Sequence, residues 1–203
     1  MQSATCFNKE CSAKVKLCEL ILRKYAKVIN ESETKTIGQI KSMVNPDDLS
    51  LASFISEFRE DAYNYDKNFL EVLRKIFEFI QKEFTYIELD IELNYWLSSK
   101  EIITNKIGDD EDLAMFLCNV ARALGNKDCF VIMSELSNLT LHSFVLITIG
   151  EKNYILDPCQ NHKFEQFSGS REEVIQKYTF KQAHIKNFVS MFNDVEYKQF
   201  LSE

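Results

Sequence analysis

His142 and Asp157 are the two residues of this sequence whose types and positions are best suited to chemistry. His142 falls within a predicted strand, "LTLHSFVLITIG", and Asp157 ends the next one, "NYILDP". If these strands form a hairpin that turns near Gly150, His142 lies within about two residues of facing Asp157. A carboxylate beside an imidazole on rigid strands is the orienting pair of a histidine-assisted nucleophile, although such pairs are more often structural.

A third element could present the nucleophile itself. Residues 106–125, "KIGDDEDLAMFLCNVARALG", predict a helix from about Asp110 onwards, with Gly125 as its C-cap. The four acids at its positive end, residues 109–112, each stabilise a helix by ~0.3–1 kcal/mol without any catalytic role. Carboxylates also attract hard cations, but adjacent helical side chains diverge and no calcium-loop pattern surrounds these acids. We therefore predict no metal and no cofactor.

The elements that position these residues begin with helices. Apolar residues at helical spacing predict a helix over residues 13–30 and another over residues 49–63, the second capped by Asp48. A longer amphipathic helix follows, with Asp66 as its predicted N-cap. "SSKEIITNK" predicts a short helix capped by Ser98 or by the serine after it.

Strands follow the helices. "DCFVIMSEL" and the two segments around His142 and Asp157 are rich in β-branched and aromatic residues, which predicts three consecutive strands, and "DVEYKQFL" predicts a short C-terminal helix. Helices first and strands second indicate an α+β fold, with N-terminal helices packed on a small antiparallel sheet. Residues 1–36 are interpreted as a helical extension and residues 37–203 as the main domain, within a single compact domain overall.

Composition limits the classes of partner. The net charge of −7 on 203 residues argues against binding to nucleic acid, which requires a basic face. No apolar run approaches the ~20 residues that span a bilayer, and the first residues do not resemble a secretory signal. We therefore expect a cytoplasmic protein without a membrane partner, for which a peptide or another protein is the plausible ligand.

The six cysteines do not form a metal or disulfide pattern. No pair has the two-residue gap of a zinc knuckle, and a disulfide framework is unexpected in the cytoplasm. Cys118 and Cys129 are interpreted as buried thiols, and no role is assigned to His162 or His184. The remaining cysteines are Cys159, close in sequence to Asp157, and an N-terminal group without an assigned role, Cys6, Cys11 and Cys18.

Several motifs together resemble the transglutaminase-like superfamily, which has a papain-like fold. Members carry a tryptophan, then Gly-Asp-Cys-Glu-Asp and a helix that ends in Arg-Ala-Leu-Gly, which is similar to "YWLSSKEIITNKIGDDEDLAMFLCNVARALG" here. The later signature, a histidine followed by an aromatic and a strand that ends in Asp-Pro, is similar to "HSFVLITIGEKNYILDP". The segments "VNPDDLSLASF" and "IFEFIQKEFTYIELD" resemble the family's lead-in, so the resemblance covers roughly residues 37–160.

The resemblance implies roles for four residues. His142 matches the general base, Asp157 the group that orients it, and Trp96 the aromatic that lines the cleft ahead of the nucleophile helix. The nucleophilic cysteine itself is replaced by Asp110. A carboxylate at a helix N-terminus is stabilised as an anion, but it attacks amides poorly, so it would not sustain acyl transfer.

Three functions are weighed on this basis. The first is a catalytically inactive domain that binds a peptide or protein, or acts as a scaffold, and retains Asp110, His142 and Asp157 as a remnant triad. The second is an active cysteine-type amidase or peptidase, in which a displaced thiol such as Cys159 works with His142 and Asp157. The third uses Asp110 and Asp157 as an acid/base pair on a glycosidic or amide bond.

Overall fold

The computed structural model describes residues 3–60, 62–88 and 93–201, with side chains from residue 14 onwards. The chain divides into two compact units, one of residues 1–35 and 89–95 and the other of residues 36–88 and 96–203. In the first unit, helix α1 runs over Ser3–Ser32, which confirms the predicted helix and extends it at both ends. Within that unit the backbone N–H of Asn94 donates to Oδ1 of Asn30 over 2.9 Å.

The helices of the second unit begin at polar caps. Asp48 and Ser98 are N-caps as predicted, and Ser98 forms a capping box with Glu101. The predicted cap Asp66 is wrong, because the Asn64 side chain accepts the N–H of Lys67 and the helix starts one residue after Asn64. The helices are α2 (Ile37–Met43), α3 (Leu49–Ser56), α4 (Tyr65–Glu83), α5 (Ser99–Asn105), α6 (Asp110–Ala123) and α7 (Arg171–Lys177).

Helix α3 is shorter than the sequence predicts, since it ends at Ser56 and does not continue to Tyr63. The chain turns after Ser56, and this turn places the ring of Phe58 5.2 Å from Phe54 and 5.1 Å from Phe79. Aromatic packing against α4 therefore replaces the last turns of the predicted helix.

The strands form a two-stranded parallel pair and a larger antiparallel sheet. The strands are β1 (Thr85–Tyr86), β2 (Ile107–Gly108), β3 (Cys129–Leu136), β4 (Leu141–Ile149), β5 (Lys152–Leu156), β6 (Ser168–Gly169), β7 (Thr179–Phe180), β8 (Ala183–Phe192) and β9 (Tyr197–Gln199). In the larger sheet the strand order is β6-β5-β4-β3-β8-β7, and β9 also pairs with β8. The three predicted strands are confirmed as β3, β4 and β5.

The predicted C-terminal helix "DVEYKQFL" is wrong, because this segment contains strand β9. The Asn193 side chain accepts the N–H groups of Val195 and Glu196 over 2.9 and 2.8 Å and so closes a turn. This Asx-type turn returns the chain alongside β8, where Met191 pairs with Lys198. The predicted α+β class is nevertheless confirmed, with helices and an antiparallel sheet in one unit.

The central strand β4 of the larger sheet is buried on both faces. Val145 and Ile147 pack in the cluster that includes α3, α4, α5 and α6, whereas Phe144 and Leu146 pack on the opposite side with Tyr178 and with Val174 of α7. A strand that is buried on both faces has a nearly continuous apolar sequence, as β4 has from Phe144 to Ile147. His142 therefore lies at the start of a strand that is held from both sides. No helix in the described ranges is long and apolar enough to cross a bilayer.

Candidate functional site: an imidazole between two carboxylates

The structure brings Asp110, His142 and Asp157 together. Nδ1 of His142 lies 3.4 Å from Oδ2 of Asp110, and its Nε2 lies 3.1 Å from Oδ2 of Asp157. The β4–β5 hairpin pairs Val145 with Leu156. Continuing this register puts Asp157 opposite Phe144, two residues from His142, as the sequence predicts. His142 and Asp157 are buried, with side-chain exposures of 2% and 0%, whereas the side chain of Asp110 is 23% exposed.

Asp110 is fixed by the backbone as well as by the imidazole. It is the first residue of α6, where the helix dipole favours an anion. Its Oδ2 accepts the backbone N–H of Ser143 over 2.7 Å, from the residue that follows His142. A carboxylate oxygen thus occupies the place between a helix N-terminus, an imidazole nitrogen and a backbone donor.

Asp157 is held by donors that the sequence analysis did not identify. Its Oδ2 accepts the hydroxyl of Tyr178 over 2.7 Å and the side-chain amide of Gln160 over 2.8 Å, and its Oδ1 accepts the N–H of Cys159 over 2.9 Å. Buried carboxylates require such partners, because an unpaired buried charge is expensive. Gln160 lies close in sequence and is a polar residue after a strand end, but nothing in the sequence pattern connects Tyr178 to Asp157.

His162 also supports the site, although the sequence analysis gave it no role. Its Nε2 lies 3.1 Å from the backbone N of Asp157, whose N–H it accepts, and its Nδ1 lies 2.9 Å from the carbonyl oxygen of Lys163. The ring packs between Phe77 and Phe167, at 5.1 and 5.0 Å. Burial holds the pKa of His162 below its ordinary value, which keeps Nε2 available as an acceptor. His184 lies on β8 and is exposed.

The charge of His142 follows from its two partners. Burial alone would lower the pKa of His142, but the interactions with Asp110 and Asp157 outweigh it and raise this pKa to about 9. Burial alone would also raise the pKa of Asp157, but the bond and charge of His142 hold it below its ordinary value. The site therefore contains an imidazolium between two carboxylates at neutral pH.

Phe180 covers the imidazole. The two rings are nearly parallel, at an interplanar angle of 10° and a centroid distance of 3.7 Å. Phe180 ends β7, which returns into β8 through Lys181 and Gln182, and these two residues have φ values of 47° and 69°. Two positive φ values are typical of a type I′ hairpin turn, which strains residues other than glycine and asparagine.

This strained turn gives a stability prediction. Gln182→Gly removes the left-handed strain while Phe180 keeps its position, so we expect the free energy of unfolding to rise by about 0.5–1 kcal/mol. Urea unfolding measures the change. The matched control is Gln199→Gly in β9, where no positive φ is relieved and a loss of about 0.5–1 kcal/mol is expected. Equal losses in both variants would contradict the prediction.

The three acids next to Asp110 accept hydrogen bonds from the backbone or from Trp96. Asp109 is the N-cap of α6, and Asp112 completes a capping box with it. The Asp112 carboxylate also accepts the backbone N–H of Leu97 over 2.7 Å. Glu111 accepts the indole N–H of Trp96. Burial, together with the neighbouring acids, raises the pKa values of Glu111 and Asp112 to about 7.

Glu111 gives a prediction for pH. Its pKa in the folded chain, about 7, lies above its ordinary value of 4.5, so stability is lost as the pH rises between these values. Glu111→Gln keeps an oxygen that can accept the indole N–H but cannot ionise. We expect this variant to be more stable than the parent by about 2–3 kcal/mol at about pH 8 and nearly equal to it at about pH 4.5.

Urea unfolding at these two pH values checks the Glu111 prediction. The control is Glu151→Gln, which makes the same change at an exposed position in the turn between β4 and β5. A gain that is the same at both pH values, or that also occurs in the control, would show that the ionisation of Glu111 does not oppose folding.

Trp96 lies beside the first turn of α6, where the resemblance implies an aromatic that lines a cleft. Its half-buried ring is parallel to Phe192, with 6.1 Å between the centroids and an angle of 4°. The indole and its bond to Glu111 tie the segment before α5 to the first turn of α6. A lining role for Trp96 remains a prediction.

Cys159 is the thiol nearest to the imidazole. Its Sγ, a His142 ring nitrogen and an Asp157 oxygen all lie within 4.8 Å of one another. Burial and the nearby carboxylates raise the pKa of Cys159 well above its ordinary value, which disfavours the thiolate that a nucleophile requires. These three side chains are the described group that could supply ligands to a metal ion, but the oxygens of Asp157 already accept four hydrogen bonds.

The structure describes the side chains of three further cysteines. Cys118 and Cys129 are fully buried, as predicted, and their sulfur atoms are 3.5 Å apart. Cys18 is exposed on α1. The side chains of Cys6 and Cys11 lie outside the described residues.

Comparison with known proteins identifies the class. The family model described as a transglutaminase-like domain matches residues 35–185, so the chain belongs to this family. LapG of Legionella pneumophila, treated with EGTA, has a similar fold, with a TM-score of 0.52, 15% identity, and coverage of 87% of this chain and 86% of that one. A second LapG structure has a TM-score of 0.51, 15% identity, and coverage of 86% and 87%. No curated protein matches the sequence.

Proposed function

We propose that this protein is a catalytically inactive transglutaminase-like domain that binds a peptide or another protein, or serves as a scaffold in an assembly. Asp110 takes the position of the nucleophile, and His142 and Asp157 remain as a structural remnant of a catalytic triad. The family membership and the LapG-like fold support the domain assignment, and the chemistry of the three side chains supports the inactivity.

One observation carries this proposal: the Asp110 carboxylate contacts both Nδ1 of His142 and the backbone N–H of Ser143. A general base must be neutral and must face a proton that it can remove. His142 is held as a cation, and the group that faces its Nδ1 is an anion with no proton to give. The arrangement stabilises charges that are already present and does not generate a nucleophile.

Thiol reactivity and turnover of the parent chain test the inactivity. We expect iodoacetamide to modify the exposed Cys18 at the rate of an ordinary thiol. We expect it to modify Cys159 no faster than Cys18. We also expect hydrolysis of simple amide and thioester substrates to be no faster than with the variant His142→Gln. Turnover that disappears in His142→Gln would overturn the proposal.

The second candidate is a cysteine-type amidase or peptidase that uses Cys159. The observation in its favour is the closeness of the Cys159 sulfur to the imidazole and to Asp157. The same experiment separates the two functions, because this enzyme would show rapid modification of Cys159 and loss of turnover in Cys159→Ser. The raised pKa of Cys159 favours the inactive domain.

A further inference from the structure

Helix α1 carries an exposed row of apolar side chains. Leu17, Ile21, Tyr25 and Val28 lie within an arc of about 80° when successive helical residues are about 100° apart. Their exposed fractions are 58%, 48%, 48% and 61%. We call these four residues the apolar stripe. An exposed row of large apolar side chains on one helix face is typical of a surface that binds a protein or a membrane.

The charge of the same segment is strongly positive. Residues 14–28 contain five basic residues and one acid, Glu19, whereas the whole chain carries a net charge of −7. Lys16, Arg23 and Lys27 project about 120–160° away from the centre of the apolar stripe, next to the exposed side chain of Leu20. Lys27 also lies 3.9 Å from Glu31, and Lys14 falls within the arc of the stripe itself. Lys24 lies at the edge of the stripe, with its Nζ 5.3 Å from the centre of the Tyr25 ring. The helix is therefore amphipathic, with a basic polar face and a basic residue at the boundary.

We propose that α1 binds the surface of an anionic lipid bilayer, with the apolar stripe inserted among the headgroups and Lys24, at the edge of the stripe, beside the lipid phosphates. The basic residues on the other face add attraction at longer range. The chemistry of the helix selects this partner. A Lys- and Arg-rich polar face combined with Leu, Ile and an aromatic on the other face suits the interface, where apolar burial and attraction to anionic lipids add together. Each basic residue near such a surface contributes to binding.

The alternatives fit the charges less well. Pairing of two α1 helices along the apolar stripe would bring two segments of like positive charge together, which is unfavourable. Insertion across the bilayer is also unsuitable, because α1 has no window that is long and apolar enough. The inferred helix lies on the membrane and does not span it. The inference therefore departs from the sequence-based expectation of no membrane partner, which rested on the lack of a spanning apolar run and did not consider a helix at the membrane surface.

Co-sedimentation of the full chain with lipid vesicles tests the inference. One set of vesicles contains phosphatidylcholine alone and the other about one-third phosphatidylglycerol. We expect binding to the anionic vesicles, weak or no binding to the neutral ones, and loss of binding at high salt, because salt screens charges beyond about 10 Å at 0.1 M.

A pair of matched variants locates the binding surface. Val28→Glu places a charge in the apolar stripe and is expected to weaken binding about tenfold. Val195→Glu makes the same change on a side chain of nearly equal exposure, 60% against 61%, but outside α1, and is expected to bind like the parent. Circular dichroism confirms that both variants are folded.

Three results would overturn the inference. The first is no binding to either set of vesicles, and the second is equal binding to both, which would remove the role of the charges. The third is a dimer in analytical ultracentrifugation that Val28→Glu dissociates, since the stripe would then bind a second copy of the chain. The inference is independent of the proposed inactivity, because no residue of the Asp110–His142–Asp157 group enters it.

Discussion

Asp110→Cys is expected to create a thiol at the start of α6 that reacts with iodoacetamide faster than the exposed Cys18. The new sulfur would lie at the N-terminus of α6 beside Nδ1 of His142, where both the helix dipole and the imidazolium favour a thiolate. At about pH 6 an ordinary thiol is almost entirely protonated, whereas this one would be ionised. Since low-pKa thiolates are weaker nucleophiles, the net gain in rate over Cys18 is about tenfold.

Mass spectrometry after brief treatment with iodoacetamide identifies the modified residue, and a pH series gives its pKa. The control is the double variant Asp110→Cys with His142→Gln, in which the advantage at acid pH is expected to disappear. The Asp110→Cys variant should also hydrolyse simple thioesters, unlike the parent. If the new thiol reacts no faster than Cys18, the geometry at Asp110 does not support a nucleophile, and the idea of a lost catalytic cysteine fails.

Asp157→Asn is expected to be the most destabilising conservative change in the site. It removes one charge of a buried ion pair and leaves the imidazolium of His142 with Asp110 alone, at a cost of about 3 kcal/mol near neutral pH. The loss depends on pH. The pKa of His142 in the folded chain, about 9, is above its ordinary value of 6.5, so its contribution to stability is complete below about pH 6.5 and is lost as the pH rises through 9.

Urea unfolding of the parent and of Asp157→Asn, at about pH 6 and again above about pH 9, measures this loss. The difference between the two proteins should shrink at the higher pH. The control Tyr178→Phe removes one neutral donor to the same carboxylate and should cost about 1 kcal/mol at both pH values. A loss in Asp157→Asn that does not change with pH would show that the charge of His142 is not what Asp157 stabilises.

The local parts of the site could be predicted from the sequence. The position of His142 relative to Asp157 depends on the register of one short hairpin, and Asp110 depends on the start of one helix. Both are governed by interactions between residues close in the chain, for which turn formers and helix caps leave a clear pattern. The contacts between these elements follow from the resemblance to a family whose motifs occur in the same order.

The distant parts of the site could not be predicted. Tyr178 reaches Asp157 from 21 residues away, and Phe180 covers His142 from a hairpin whose central residues are not glycine. Strand β8 contains polar residues at irregular positions and shifts its register against β3 twice, so no simple alternation marks it. These features depend on tertiary packing, which single-sequence periodicity does not contain.

The bond from Ser143 to Asp110 has a consequence for how such a family diverges. The Asp110 carboxylate accepts the backbone N–H of Ser143 and faces the imidazole of His142. If the proposed function is right, replacement of a thiol by this carboxylate would leave neither group unpaired, so a stable fold would be a sufficient reason to keep His142 and Asp157. On that proposal, the residue at the start of α6 is more informative about catalysis than the presence of a histidine and an aspartate.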